Sequence, residues 1–531
     1  MPEPVDVPAP FDHRRLLLGS PGASRLGPAL VAALGLGLPA TAVTLAGRTD
    51  VAMVVSLGAF AGLYAVNRPY PHRARLLAAV VLLLVGCVGL GAVAQLGADR
   101  LGLTSGLAVG AVVVTGVTAV AAVATFAANA LAVGPPGGYF FALSAAMSAE
   151  LASHGIGLAT ILGLTLLGGA CAWLVSMAPA LWASHRPAAS RLQAADAAVA
   201  RHLAAVADGR ATSRTRTDAA LALHEAWVAL AEGGLRDSGT ARALHGLHAD
   251  FAATLGNPDE APSDDSEDRD RAEDIPLGRP ATGYLVRRAL HVDTAPALLA
   301  LRVVVACVLA GLATLVLGTS RPDWAIASAI LVLHGGVDRL PGTYRALHRL
   351  LGTTVGLLVF AAVYAVRPSG LALVAVLVVL QFVIELVVVR NYAVAVTFIT
   401  ALVLLVTTRP GMAGDLLMRD RLVDTLVGVA VGVVVLWTVG RRFWREGLPR
   451  QLTRVELAVS ALRGALREHH AGSRVVLEAR RDLQFELIEA ARTADTAHRN
   501  APDAARAHWQ RHLELQHEGY GVLASCWSAG R

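Results

Sequence analysis

Residues 370–389 read GLALVAVLVVLQFVIELVVV. Only Gln381 and Glu385 interrupt an otherwise apolar run. About 20 apolar residues in a helix rise roughly 30 Å, the thickness of the hydrocarbon core of a bilayer. Inside lipid the backbone must satisfy its own hydrogen bonds, which leaves helices or closed barrels. Barrel strands alternate apolar and polar side chains over about 10 residues. This stretch does not alternate, so it reads as a membrane helix. Residues 76–93, 298–317 and 423–439 read the same way.

The whole chain agrees. Of 531 residues, 55% are hydrophobic and 16% charged, against roughly 25% charged in soluble domains. Mean hydropathy is +0.54. The first 25 residues are polar and Pro-rich, without the apolar core of a signal peptide. They are expected as a cytoplasmic tail carrying Arg14, Arg15 and Arg25.

Extending the reading outward gives two blocks of membrane segments. The first, 26–182, holds segments at 26–47, 51–66, 74–97, 103–126, 138–153 and 156–182. The second, 282–440, holds 298–318, 323–335, 347–366, 369–389, 391–408 and 420–440. Each block precedes a polar region with helical periodicity, 183–256 and 441–531, each with room for three helices. Residues 257–281 join the halves. Their stretch 257–274 carries nine acids and two arginines, so it cannot bury enough apolar surface to order itself and reads as a disordered linker.

The blocks resemble each other. Arg48-Thr49-Asp50-Val51-Ala52 aligns with Arg321-Pro322-Asp323-Trp324-Ala325, and Tyr139…Ser144 aligns with Tyr392…Thr397. An even number of helices per block predicts parallel repeats related by an axis along the membrane normal. The fold class is therefore all-α and polytopic, in two repeats of about six transmembrane helices, each followed by a cytoplasmic helical domain. Arginines cluster on one set of flanks (Arg68, Arg73, Arg75, Arg287, Arg288, Arg345, Arg349, Arg390, Arg441, Arg442), which places those flanks and both termini inside. Arg409, Arg419 and Arg421 share one loop on the other side and run against that rule.

Composition also excludes chemistry. All 46 basic residues are arginine. Without lysine the chain has neither the lysine of a P-loop nor that of a kinase strand, so no ATP site is expected, and Schiff-base chemistry is excluded. Cys87, Cys171, Cys307 and Cys526 show no disulfide or zinc spacing. Gly35-Leu36-Gly37 lies inside a membrane run with no strand before it. His508 and His512 lack the metalloprotease glutamate, and with His245 and His248 they read as solvated helix faces. No catalytic triad spacing stands out. An enzyme, a metal, a cofactor and a nucleic-acid partner are not expected; the net charge of +6 is assigned to the arginine flanks.

The second block resembles the fusaric acid resistance or aromatic acid exporter family. The residues carrying the resemblance are Asp323-Trp324-Ala325 opening a short helix, Arg345…Arg349-Leu350-Leu351-Gly352-Thr353-Thr354-Val355-Gly356, Arg390-Asn391-Tyr392-Ala393 leading to Thr400, and Arg421…Asp424-Thr425…Gly428. The first block is similar more loosely, through Arg68-Pro69-Tyr70-Pro71 and Pro135-Pro136-Gly137-Gly138-Tyr139; Val51 stands where the second block has Trp324. The resemblance implies efflux of aromatic carboxylates or related weak acids across the cell membrane.

Several residues could serve such a task. Segments 51–66 and 323–335 are short and occupy corresponding places, the pattern that marks a transporter site. Arg345 and Arg349, one turn apart, and Arg73 in the first block could offer guanidinium forks to a carboxylate; ordinary positive-inside anchoring explains them equally. Arg390 and Tyr392 open a helix whose Thr397 and Thr400 share a face. Trp324 and Tyr139 complete the substrate-binding candidates. Glu385, an intramembrane carboxylate, and Asp323 are the proton-coupling candidates. The plain alternatives are a salt bridge from Glu385 to Arg390 or another interfacial arginine, helix capping by Asp323, and a structural Arg421–Asp424 pair. The leading expectation is a secondary exporter of small organic anions, aromatic acids foremost. A passive anion channel and a non-transporting scaffold are the alternatives. The expected partners are the bilayer and the anion, and a homo-oligomer is compatible with both.

Overall fold

The computed structural model describes residues 12–19, 25–66, 68–102, 106–183, 186–235, 239–255, 278–319, 321–408, 414–470 and 472–528. Among them are helices and turns and no strand. Residues 256–277, most of the expected acidic linker, and Arg409 lie outside the described residues.

All twelve expected membrane stretches are helical, but they fall into two lengths. Among the described residues eight helices are long and apolar enough to cross a membrane: α2 (Leu26–Leu45), α4 (Tyr70–Arg100), α5 (Gly106–Ala130), α7 (Leu158–Met177), α13 (Ala295–Leu317), α15 (Arg339–Val366), α16 (Gly370–Val387) and α18 (Gly414–Thr438). α15 and α18 begin well before the expected residues 347 and 420. The other four are short: a broken segment Ala52–Leu63 whose middle turn is α3 (Ser56–Ala59), α6 (Tyr139–Ser153), α14 (Pro322–Leu333) and α17 (Tyr392–Thr407). At 1.5 Å per residue even the 16 residues of α17 reach only about 24 Å. Each half thus has four full-length helices and two short ones rather than six spans. The short ones tolerate this because they are buried by neighbours: ten of the twelve residues of α14 are buried. Lipid-facing positions on the long helices carry exposed Leu82, Leu90, Val123, Val316, Leu358 and Val379, the apolar belt a bilayer covers.

Packing in one half has a counterpart in the other. α4 packs on α6 and α7, and α15 on α17 and α18; α3 packs on α7, and α14 on α18. Across the halves, α2 packs on α16 and α13 on α5. Close approach needs missing side chains. A Cβ on Gly428 of α18 would lie 2.2 Å from the Ala325 carbonyl of α14, and one on Gly168 of α7 would lie 1.9 Å from the Val55 carbonyl.

After the single turn α8 (Ala180–Ala183), the described polar regions form six amphipathic helices: α9 (Arg186–Ala207), α10 (Ser213–Gly233), α11 (Gly239–Ala253), α19 (Arg441–Glu468), α20 (Arg474–Asn500) and α21 (Pro502–Ser528). In α19, Leu448, Leu452, Val455, Val459 and Leu462 recur at alternating four- and three-residue steps, the coiled-coil stripe. The two regions, expected as separate appendages, share one core in which Leu223, Trp227 and Phe251 meet Leu452, Leu487 and Tyr520. Neither three-helix set covers its own apolar stripe, so each covers the other's.

Polar ties fasten this helical domain to both membrane halves. Glu232 of α10 accepts from Arg68 at 3.0 Å and from Arg279 at 3.1 Å. Asp338, just before α15, accepts from Asn500 at 2.7 Å and Arg499 at 3.2 Å. Buried Glu486 accepts from Tyr284 and Arg288 of α12 (Thr282–Ala289) at 2.6 and 2.8 Å. The described part of the N-terminal tail is anchored as well. Its helix α1 (His13–Leu18) lies against α15, with His13 2.7 Å from the Tyr344 hydroxyl and the Leu17 carbonyl 3.1 Å from His348 Nε2.

Candidate functional site

A cavity of about 1110 Å³ runs between the membrane halves to the helical domain. Its membrane end is built by the short helices. α14 contributes Trp324, Ala327 and Leu331; α6 contributes Tyr139, Phe140, Leu143 and Met147; α17 contributes Tyr392, Ile399, Leu402 and Val403. Apart from the adjacent pairs Tyr139/Phe140 and Leu402/Val403, each set recurs every three, four or seven residues, so one face of each helix points inward. Arg345 of α15, Arg421 of α18 and Gln381 and Glu385 of α16 complete this end. Leu221, His224, Phe485 and Ile488 line the other end. Burial, then the neighbouring Arg492 charge, pushes the His224 imidazole down to about 4, so it is neutral at physiological pH.

The arginines on this surface divide into two groups. Arg25 pairs with Glu385 at 3.1 Å, Arg68 and Arg279 with Glu232, Arg492 with Glu489 at 2.8 Å, and Arg191 with Glu225. Arg345 and Arg421 have no carboxylate within ion-pair distance among the described residues. Among the described residues Arg345 donates only to the Val332 carbonyl, at 3.3 Å. Its guanidinium lies where a side chain on residue 335 would be: a Cβ on Gly335 would sit 1.6 Å from it. Arg421 is 2% exposed, and its guanidinium lies 4.9 Å from the Trp324 ring centroid.

Behind this surface sits Arg349, 1% exposed, none of whose three side-chain nitrogens has a hydrogen-bond partner among the described residues. It acts electrostatically on both Tyr139 and Arg421. A buried charge without a partner costs several kcal/mol, and such groups are rare enough that each needs a reason. The Tyr392 hydroxyl and the Thr353 and Thr400 hydroxyls are also unpartnered. Guanidinium forks beside aromatic faces can hold a carboxylate and stack the ring that carries it.

The sequence candidates are distributed as follows. Tyr139, Trp324, Arg345, Tyr392 and Glu385 line the cavity, and Arg349 stands behind it. Arg73 does not line it; its guanidinium faces the Val66 carbonyl at 3.5 Å and the Tyr70 ring at 6.0 Å. Arg390 is exposed beside the N-terminal tail, where its carbonyl abuts Gly19. Thr397 bonds its own helix at Ala393, and with Thr400 it packs on Gly356 of α15. These threonines serve helix packing rather than the lining. Glu385 takes Arg25, not Arg390, as its partner. Asp323 does not cap α14: it accepts both arms of Arg321, at 3.0 and 2.9 Å, and Arg321 reaches Glu150 at 3.3 Å. Arg421 turns to Trp324 and makes no ion pair with Asp424.

Arg421 was legible only as a structural partner, because sequence places it in an outer loop; α18 starts earlier than expected and carries it into the bundle. Arg302 also escaped notice, although a charge inside the apolar run 298–317 was the signal. Its guanidinium donates to the Val337, Leu436 and Val439 carbonyls, each at 3.1 Å, and closes the end of α18.

A protein of Bacillus subtilis (strain 168), "Uncharacterized membrane protein YvaC", is 25% identical over 551 residues, covering 92% of this chain and 84% of that protein. No solved structure matches the chain. Residues 306–435, from within α13 to within α18, match the family described as fusaric acid resistance protein-like, so the likeness to that family lies in the second membrane half.

Proposed function

We propose that the protein is a secondary transporter that exports small organic acids, aromatic carboxylates among them, across the cytoplasmic membrane. Its two membrane halves act as parallel repeats around the shared cavity, with both termini in the cytoplasm. The reciprocal packing of α2 on α16 and α13 on α5 supports the repeat; the arginine-rich flanks support the orientation. The chain does no chemistry on the acid and uses no ATP. The membrane potential or proton gradient drives the step.

One observation carries this reading: the division of arginines along the cavity. Arg25, Arg68, Arg191, Arg279 and Arg492 are neutralised by carboxylates. Arg345, Arg421 and the buried Arg349 are left for an anion that the protein does not itself supply. Trp324, Tyr139 and Tyr392 flank them. The match of 306–435 to the fusaric acid resistance-like family is consistent with efflux.

The test is efflux of a panel of aromatic acids from a deletion strain carrying wild type or the Arg345→Ala/Arg349→Ala double variant. Wild type is expected to lower intracellular acid and the double variant not to. Failure of wild type to restore efflux of any acid overturns the proposal.

A further inference from the structure

The cavity is larger than a single-ring acid requires. Its volume of about 1110 Å³ exceeds the roughly 300–1,000 Å³ of pockets that enclose drug-sized ligands. Its membrane end is also one-sided in chemistry. The free cations Arg345 and Arg421 stand beside an apolar wall of Leu331, Ile399, Leu402 and Val403. On α17 the inward face from Tyr392 to Val403 spans 12 residues, a rise of about 16 Å. α14 and α6 add inward faces of eight and nine residues, Trp324 to Leu331 and Tyr139 to Met147. A bare carboxylate or a lone ring would leave most of this wall facing water that the wall cannot hydrogen-bond. Apolar walls of this kind are filled by apolar ligand groups.

We infer that the transported anion is amphipathic: a carboxylate held at Arg421 and Arg345, joined to an apolar body well beyond one aromatic ring that lies along α6, α14 and α17. The inference rests on the anion-export reading above and narrows its substrate class. It also accounts for the mouth. Arginines already paired with Glu232, Glu225 and Glu489 leave the vestibule at the helical domain weakly attractive to small anions, so selection falls to the combination of charge and apolar bulk deeper in.

The test is binding by the purified full-length protein in nanodiscs. The probes are benzoate, 4-butylbenzoate, 4-octylbenzoate and the methyl ester of 4-octylbenzoate. For wild type, affinity is expected to rise about two- to four-fold per added methylene, with the ester binding at least ten-fold more weakly than its acid. Ile399→Phe and Val403→Phe fill the apolar wall. Each is expected to lose at least ten-fold more affinity for 4-octylbenzoate than for benzoate, and an unchanged thermal midpoint in detergent reports that the variant is folded. Partition into the nanodisc lipid is the same for all variants and cancels in the comparison. Affinity that is flat or falls with chain length, or an equal length dependence in wild type and both variants, overturns the amphipathic inference and leaves acid binding standing. Binding of every acid equally by wild type and Arg421→Gln overturns the anion site itself, and the inference with it.

Discussion

The guanidinium of Arg421 lies 4.9 Å from the ring centroid of Trp324, and that of Arg321 lies 4.7 Å from the same ring. Of these two cations only Arg321 is matched by a carboxylate, Asp323. The indole therefore holds Arg421 in place without neutralising it. A desolvated cation–π contact contributes about 2 kcal/mol. Trp324→Leu should weaken acid binding about ten-fold and leave the fold intact. Arg421→Gln should remove binding almost completely. Arg421→Lys should recover little, because a lysine keeps the charge and loses the planar fork. Titration of a labelled aromatic acid against the three variants checks the order; equal affinity for Trp324→Leu and wild type sinks the positioning role of the ring.

Arg302 carries a different kind of charge. It is fully buried, and its three bonds go to backbone carbonyls, two of them at the end of α18 where helical partners have run out. Its guanidinium also lies 5.0 Å from the Trp444 ring centroid. Each abandoned carbonyl costs about 1–3 kcal/mol. Arg302→Leu should lower stability by about 3–5 kcal/mol, read as an earlier thermal midpoint in detergent, while the acid affinity of protein that remains folded is unchanged. A variant as stable as wild type but defective in binding would move Arg302 from architecture to the transport path.

The membrane segments were legible because lipid imposes one rule on every residue of a span. The stretch 370–389 could be nothing else, and α16 follows it closely. The shortness of Ala52–Leu63 and α14 was legible from where polar residues punctuate the runs. That α6 and α17 are also too short to span was less visible, since a buried helix inside a bundle reads as apolar as one facing lipid. At the site, Arg345, Trp324 and Tyr139 could be found through motif and spacing. Arg421 could not, because its role depends on how far α18 extends beyond the apolar run. Nor could the shared core of the two polar regions be read, since an amphipathic stripe states that it must be covered and not by what.

The shared core predicts a pH response. His512 on α21 is 4% exposed; burial, then the nearby Arg216 charge, pushes its imidazole down to about 4. His224, His248 and His202 in the same domain are lowered as well, chiefly by burial, with the charges of Arg492, Arg480 and Arg216 adding to it in turn. In the unfolded chain a histidine protonates near pH 6.5. As pH falls from 6.5 to 4 the unfolded state gains the proton first, so the stability present above 6.5 is lost across that window. For His512 alone the loss reaches about 3 kcal/mol at pH 4. Thermal midpoints of wild type should drop between pH 7 and 4.5, and His512→Gln should flatten part of that drop. Parallel curves for the two proteins would contradict the assignment.

The ties between the helical domain and the membrane halves occupy matching places. Arg68 precedes α4 and meets Glu232, and Asp338 precedes α15 and meets Arg499 and Asn500. Arg345, on the cavity surface, sits two turns beyond Asp338 on the same helix. A shift of the domain against either half therefore moves the loop that sets the start of a cavity-lining helix. Coupling of this kind amounts to about 1–3 kcal/mol, so ten-fold in a rate, about 1.4 kcal/mol, falls in the lower half of that range. Asp338→Arg should cut efflux about ten-fold by placing two cations together, with little change in acid affinity measured at equilibrium. Adding Arg499→Asp to the same protein should restore most of the rate. Rates unaffected by the single swap would make the ties mere attachment, and a rate that stays low in the double swap would mean that Asp338 acts through α15 alone. Recovery in the double variant is the outcome expected if the domain, rather than the loop by itself, sets the pace of opening.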